Sequence, residues 1–144
     1  MVKVGDIMSR EFASVAPSAP VIEVAQKMAN CKDGVIAVCN NGKFMGIITE
    51  RDIITGTVAN ALNPKREHAR NLMSNHQPVI SPDDEILDAA RTMVNSGLRV
   101  LPVVQRAKLV GLFTVDDLAQ ESLPLASLVF TRTIKPKSPE PAMA

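Results

Sequence analysis

The sequence predicts an α+β fold built from two similar β-α-β-β-α units. The first observation is an internal repeat: residues 7–54 align without a gap on residues 72–119, with 12 of the 48 aligned pairs identical. The second is that each copy has apolar residues at helical spacing, followed by two short runs rich in β-branched residues. The third is that "GIITERDII" and "GLFTVDDLA" repeat Gly, Thr and Asp at the same spacing.

Each copy begins with a short extended segment, "FASV" or "PVIS", and a helix comes after it. In the second copy Ser81 is the predicted N-cap, Pro82 the first helical residue and Gly97 the stop, and Asp84 completes the cap. The apolar face of this helix consists of Ile86, Ala89, Ala90 and Met93. The corresponding face in the first copy consists of Val21, Val24, Ala25 and Met28.

Two β-rich runs come next in each copy, and a second helix begins after each threonine. In the first copy "GVIAVC" and "KFMGIIT" are separated by Asn41-Gly42, which is the strongest short-range signal for a hairpin. In the second copy "RVLPVV" and "KLVGLFT" are joined by "QRA", a weaker turn signal. We therefore expect a first unit at 1–58, a connection at 59–71, a second unit at 72–122 and a tail at 123–144.

The connection and the tail differ in composition from the repeats. Asn63-Pro64 marks a break, and basic residues come after it. "LPLASLVF" is consistent with a packed segment or with a partner contact, and the Pro-rich "IKPKSPEPAMA" is predicted to be disordered.

Composition excludes several function classes. A net charge of +1 gives no long-range attraction for nucleic acid or an anionic membrane. Four Phe, with no Tyr or Trp, do not provide a stacking platform for single-stranded nucleic acid. No apolar run reaches 18 residues and no signal peptide is evident, so a protein that is not in a membrane is expected. Two cysteines without a Cys-x-x-Cys pair fit a cytoplasmic location.

The repeated Thr-x-x-Asp has two interpretations. The hydroxyl and the carboxylate suit the cap of a helix that begins after the strand, a role worth about 1 kcal/mol. The same groups also suit a nucleotide, because free N–H groups at a helix start bind phosphate and a carboxylate accepts both ribose hydroxyls. Two copies at equivalent positions strengthen the second interpretation, and both stay open.

From about residue 6 to residue 119 the sequence resembles a tandem pair of CBS domains, also called a Bateman module. The resemblance lies in "DIMSREFASVAPSAPVIEVAQKM", "GVIAVCNNGKFMGIITERDII", "LMSNHQPVISPDDEILDAARTM" and "LRVLPVVQRAKLVGLFTVDDLA". It implies that the units pack by their sheets about a pseudo-twofold axis and leave two clefts. It also implies an adenosine-containing ligand such as AMP, ADP or ATP, and pairing of two modules into a homodimer.

The resemblance also implies roles for individual residues. Asp52 and Asp117 would hold ribose hydroxyls, and Thr49 and Thr114 would contact phosphate or ribose. The purine would lie in one of two aliphatic slots, whose implied walls are Val15, Val35, Ile36 and Ile48 in the first and Ile80, Val100, Leu101, Pro102 and Phe113 in the second. Arg99 stands where the family often has a phosphate-binding cation, and Gly34 replaces it in the first copy.

The copies also differ next to the repeated aspartate, where Arg51 in the first corresponds to Asp116 in the second. If these side chains face the ligand, the first cleft favours phosphate and the second opposes it unless a divalent ion bridges. Both side chains pointing to solvent is the alternative.

Other candidate groups give weaker signals. His68 and His76 have no neighbouring ligand set, so metal binding by them is not expected. A magnesium role for Asp83, Asp84, Glu85 and Asp88 is a weak alternative to a favourable interaction with a helix dipole. No catalytic constellation is visible.

The sequence therefore predicts a stand-alone, non-enzymatic sensor of an adenine nucleotide that needs no cofactor and signals to a separate effector protein. The rival is a ligand-free interaction scaffold whose Thr/Asp pairs are only caps. A nucleic-acid binder using the basic connection ranks below both.

Overall fold

The computed structural model describes residues 1–133. The first half of the chain forms two strands of a hairpin, one short strand and four helical segments. In chain order these are α1 Val4–Ile7, β1 Ser14–Val15, α2 Val21–Met28, β2 Val35–Asn40, β3 Lys43–Thr49, α3 Glu50–Ile53 and a π-helix Ile54–Val58. The second half contains α4 Ala69–Leu72, α5 Ile86–Ser96, β4 Val100–Gln105, β5 Lys108–Thr114, α6 Val115–Glu121 and α7 Leu123–Thr133.

The strands form one sheet in the order β1-β2-β3-β5-β4, in which the β2–β3 and β4–β5 hairpins are related by the sequence repeat. The counterpart of strand β1 is an isolated bridge between Ile80 and Val103. Val35 pairs with Thr49 in the β2–β3 hairpin, and Val100 pairs with Thr114 in the β4–β5 hairpin. The halves meet at Lys43 and Lys108, which are themselves equivalent positions. The predicted α+β fold of two similar units about a pseudo-twofold axis is confirmed.

The two units exchange their first segments. The N–H groups of Val4 and Gly5 donate to the carbonyls of Asp84 (2.8 Å) and Pro82 (2.9 Å) in the second half of the chain. In the equivalent place, Ala69 N–H donates to Ala19 O at 2.8 Å. Val4 and Met8 are accordingly buried in the core of the second unit, and Ala69 is buried in the core of the first. Each unit is thus completed by a segment that the repeat alignment assigns to the other.

The hairpin turns are equivalent but differ in strain. Asn41 and Gly42 have φ values of 51° and 83°, as the predicted turn requires. Arg106 and Ala107 also have positive φ, 54° and 67°, although neither is glycine. Ala107 O accepts from Phe44 N–H at 2.9 Å, so the second turn also joins the two halves of the sheet.

For helix α5 the predicted start is wrong and the predicted end is confirmed. Helix α5 begins at Ile86 and not at Pro82. Ser81 instead closes a turn with Asp84, whose carboxylate accepts from Ser81 N–H at 2.9 Å. Gly97 ends α5 with φ 73°, as predicted.

The segment that begins at residue 123 is packed, which is one of its two interpretations. "LPLASLVF" lies in α7, which buries Ala126 and Val129 against the second unit. The predicted disorder of 134–144 lies outside the described residues. Among residues 1–133, no helix is long and apolar enough to cross a membrane.

Candidate functional site

Both repeated Thr-x-x-Asp motifs form complete helix caps. Thr49 Oγ1 accepts from Asp52 N–H at 3.2 Å, and Asp52 Oδ2 accepts from Thr49 N–H at 2.8 Å. The equivalent bonds between Thr114 and Asp117 are 3.0 and 2.9 Å. The capping interpretation is therefore realised in both copies, and it uses one oxygen of each carboxylate.

The two aspartates differ in what surrounds them. Asp117 is only 8% exposed. The Ser9 hydroxyl lies 3.0 and 3.2 Å from its two carboxylate oxygens. Ser74, the residue equivalent to Ser9, is exposed, and among the described residues it makes no such bond to Asp52. Asp52 is half-buried and therefore the freer acceptor.

The repeated glycine has a structural role that results from the exchange of segments. Ser9 N–H and O pair with Leu112, and Ser74 N–H and O pair with Ile47, so each exchanged segment crosses the other unit's inner strand. A Cβ on Gly46 would overlap the carbonyl oxygen of Ser74. A Cβ on Gly111 would lie 2.8 Å from Ser9 O. Glycine is required here because the crossing backbone occupies the space of a side chain.

A cleft of about 410 Å³ lies beside the first motif, and we call it the arginine cleft. It contains both Arg51 and Arg99, one from each unit, together with Thr49. Its lining residues are Asp33, Gly34, Val35, Ile47, Thr49, Glu50, Arg51, Gly97, Leu98, Arg99, Val100 and Thr133. Among the described residues no carboxylate lies within 4.0 Å of either guanidinium. Within residues 1–133, two cations that form no ion pair therefore share one concave surface, which Asp33 and Glu50 also line.

Arg99 is held in a defined orientation at this cleft. Its guanidinium carbon lies 4.4 Å from the centroid of the Phe130 ring, a cation–π contact. Its Nε–H donates to Thr133 Oγ1 at 3.0 Å. Thr133 Oγ1 in turn donates to Phe130 O at 3.2 Å, so the hydroxyl proton points away from Arg99.

A second cavity, of about 700 Å³, contains Lys32, and we call it the lysine cleft. It is lined by Ser9, Arg10, Glu11, Phe12, Ala13, Asn30, Cys31, Lys32, Asp33, Val35 and Leu112. Lys32 Nζ lies 3.2 Å from an oxygen of Asp116, the residue equivalent to Arg51. This hydrogen bond, with the charge of Asp116, raises the pKa of Lys32. Burial, with a smaller contribution from repulsion by Asp116, raises the pKa of Asp33.

The structure groups some predicted site residues differently from the sequence. Arg99 and Val100 share a cavity with Thr49 and Arg51, whereas the sequence grouped them with Thr114 and Asp117. The reason is that the cleft forms between units, so its two walls come from opposite repeats. Val35 lines both clefts.

Most of the implied aliphatic walls are core residues. Six of the implied wall residues are at most 6% exposed: Val15, Ile36, Ile48, Ile80, Leu101 and Phe113. Pro102 is likewise buried in β4. These side chains pack within each unit and line neither cleft, so we leave them out of the proposed site. Thr114 and Asp117 are also buried, and neither they nor Asp52 lines one of the two clefts.

Sequence reasoning missed several residues that line the arginine cleft. Ile47 and Leu98 supply apolar surface, Glu50 supplies an acid, and Thr133 comes from α7. Ile47 and Glu50 lie close to the repeated Thr49, which was a usable signal. Thr133 lies beyond the repeat, so no comparison of the two copies could find it. Within residues 1–133 there is no cluster of three His, Cys, Asp or Glu side chains that could hold a metal ion.

Comparison with known proteins identifies the repeated unit. The sequence pattern of the CBS domain matches residues 4–57 and 69–123. The chain belongs to the CBS-domain family. Its two CBS domains form a tandem pair, and α7 lies almost wholly after the second match.

Individual relatives agree with this assignment. An uncharacterized protein of Methanopyrus kandleri is 36% identical over 123 residues, which are 83% of this chain and 62% of that protein. A CBS domain protein of unknown function from Thermoplasma acidophilum has a TM-score of 0.77 at 24% identity, covering 90% of this chain and 75% of that one. CBSX2, solved in complex with AMP, has a TM-score of 0.74 at 23% identity, covering 87% and 98%. At these identities the solved structures show the fold.

Proposed function

We propose that this CBS pair is a regulatory module that binds an adenine nucleotide in the arginine cleft. The observation that supports this most is the pair of guanidiniums, Arg51 and Arg99, which lack a carboxylate partner among the described residues and line the same concave surface. Arginine binds phosphate through two parallel N–H···O bonds, and such charge-assisted bonds are among the strongest in proteins.

The rest of the arginine cleft suits a nucleoside. Val35, Ile47, Leu98 and Val100 provide aliphatic surface for a purine, in a protein without Trp or Tyr. A volume of about 410 Å³ lies within the range usual for small-ligand pockets. Asp52 does not itself line the cleft, but it is hydrogen-bonded to Thr49, which does. Of the two repeated aspartates it is the proposed ribose acceptor, because a carboxylate retains acceptor sites after one bond to Thr49 N–H.

We propose one nucleotide per chain, in the arginine cleft. In the lysine cleft the ammonium of Lys32 already has Asp116 as a partner. Asp117 is buried and already lies within hydrogen-bond distance of Ser9. A nucleotide there that used Lys32 and Asp117 would have to displace both interactions and bring its phosphate close to Asp116. These costs disfavour the second cleft relative to the first.

The proposed function involves an effector protein and a second copy of the chain. Ligand would stabilise one arrangement of the two units, and a separate effector protein would read it, without catalysis by this chain. The AMP complex of CBSX2 is consistent with such a ligand. We also propose that two copies of the chain associate into a homodimer through exposed apolar side chains. Val58 and Leu123, at equivalent positions of the repeat, are 66% and 71% exposed.

Thermal unfolding with and without AMP, ADP, ATP and adenosine tests the proposal. Ligand at a hundred times its dissociation constant adds about 2.7 kcal/mol of apparent stability. We expect at least one nucleotide to raise the melting temperature, and we expect this increase to be lost in Arg51→Ala and in Arg99→Ala. Arg66→Ala, an exposed arginine of the connection, is the matched control and should keep the shift. A folded protein whose melting temperature changes with none of these ligands would favour the interaction scaffold.

A further inference from the structure

Helix α7 lies outside the repeated CBS domains and brings Thr133 to the arginine cleft and Phe130 against Arg99. The second CBS match ends at residue 123, and α7 runs from Leu123 to Thr133. Its buried residues Ala126 and Val129 anchor it in the core of the second unit. Its last turn then places Phe130 and Thr133 against Arg99.

These contacts fix the orientation of Arg99 but do not occupy the N–H groups that would bind phosphate. The ring of Phe130 covers one face of the guanidinium, and Thr133 takes only the Nε–H. Stacking leaves the edges of the planar group free, and the Nη donors make no hydrogen bond to any residue between 1 and 133. Because Thr133 gives its own proton to Phe130 O, its oxygen is fixed as an acceptor for Arg99. A long, flexible side chain is therefore already ordered before a ligand arrives.

We propose that Phe130 and Thr133 are positioning residues that preset Arg99 as the phosphate-binding fork of the arginine cleft, so that nucleotide binding is coupled to docking of the last turn of α7. This inference rests on the proposed function. Presetting raises affinity because the rotamer entropy of Arg99 is lost on folding and not on binding. By linkage, a bound phosphate strengthens the docking of α7 by the same factor that α7 strengthens binding. The docking of α7 therefore responds to nucleotide binding at the arginine cleft.

The test compares AMP with adenosine in calorimetric titrations of the full chain. Phe130→Leu and Thr133→Val should each weaken AMP about three- to tenfold while leaving adenosine affinity unchanged, since adenosine has no phosphate for Arg99. Thr133→Ser should restore most of the AMP affinity. Thr131→Val is the matched control: its hydroxyl is on the same helix but bonds Ser127 O, and its AMP affinity should equal that of the wild type.

Hydrogen exchange of α7 provides the reciprocal measurement. AMP should slow exchange at the last turn of α7 in the wild type and in Thr131→Val, but not in Thr133→Val. Wild-type AMP affinity in both Phe130→Leu and Thr133→Val would overturn this inference and leave the proposed function intact. Equal losses of AMP and adenosine affinity would also overturn it, because they indicate general damage to the cleft. A folded wild-type protein that binds neither ligand would overturn the proposed function and this inference with it.

Discussion

The hydroxyl of Ser9 lies 3.0 and 3.2 Å from the two carboxylate oxygens of Asp117, although 108 positions separate the residues. This contact exists because the first segment of the chain crosses the inner strand of the second unit. It also removes the equivalence of the two repeated motifs, since Ser74 makes no such contact to Asp52 among the described residues. One sequence motif therefore occupies two different environments.

Ser9→Ala should destabilise the fold by about 1–3 kcal/mol, because it removes a hydrogen-bond donor from a buried carboxylate. Urea unfolding measures the change. Ser74→Ala, at the equivalent exposed position, is the control and should change stability by less than about 0.5 kcal/mol. Equal effects of the two substitutions would contradict the asymmetry described above.

Gly46→Ala should destabilise by about 1–3 kcal/mol, since the new Cβ overlaps the backbone carbonyl of Ser74 and the crossing segment must move. The same denaturation experiment applies. Gly56→Ala serves as the comparison, because its Cβ would meet only the end of the flexible Leu72 side chain. Unchanged stability in Gly46→Ala would show that the crossing segments are not closely packed.

Ala107→Gly should stabilise the protein by about 0.5–1 kcal/mol. Ala107 has a φ of 67°, a conformation that costs an L-residue free energy and costs glycine none. Part of this gain is offset by the greater freedom of glycine in the unfolded chain. The equivalent reverse change, Gly42→Ala, should destabilise, and a melting temperature that falls in Ala107→Gly would refute the assigned turn.

Asp33→Asn should stabilise the protein at neutral pH and not at acidic pH. Burial, with a smaller contribution from the charge of Asp116, raises the pKa of Asp33 in the folded state, while Lys32 acts in the opposite direction. The folded protein thus holds this proton to higher pH than the unfolded chain, so stability falls as pH rises from the ordinary pKa of the group through the raised value. Below that window the group is neutral in both states and the penalty vanishes.

The expected gain is less than about 1 kcal/mol, since Asp33 is largely accessible and its charge is screened. Melting temperatures at about pH 7 and about pH 3 measure it. Glu11→Gln, on an exposed residue of the lysine cleft, controls for the loss of one negative charge. A gain that persists at the lower pH would exclude the assigned cause.

The sequence predicts local features well because they depend on neighbouring residues. The Asn41-Gly42 hairpin, the stop at Gly97 and both Thr-x-x-Asp caps result from such local chemistry. The predicted start of α5 is too early, because a turn closed by Ser81 and Asp84 uses the same residue types as a helix cap.

The composition of the clefts depends on contacts distant in sequence. Exchange of the segments around Val4 and Ala69 has no signal in the repeat alignment, yet it brings Ser9 to the lysine cleft. Ile48 and Phe113 could not be distinguished from ligand-contacting residues, because an aliphatic slot and a packed core use the same side chains. Thr133 lies outside the repeat altogether.

Calorimetric titration of the wild-type chain with AMP, beside the double variant Arg51→Ala/Arg99→Ala, tests the central claim most directly. We expect saturable binding of one AMP per chain, and a loss of at least about a hundredfold in affinity when both guanidiniums are removed. Absence of binding by a folded wild-type protein, or undiminished binding by the double variant, would contradict the account.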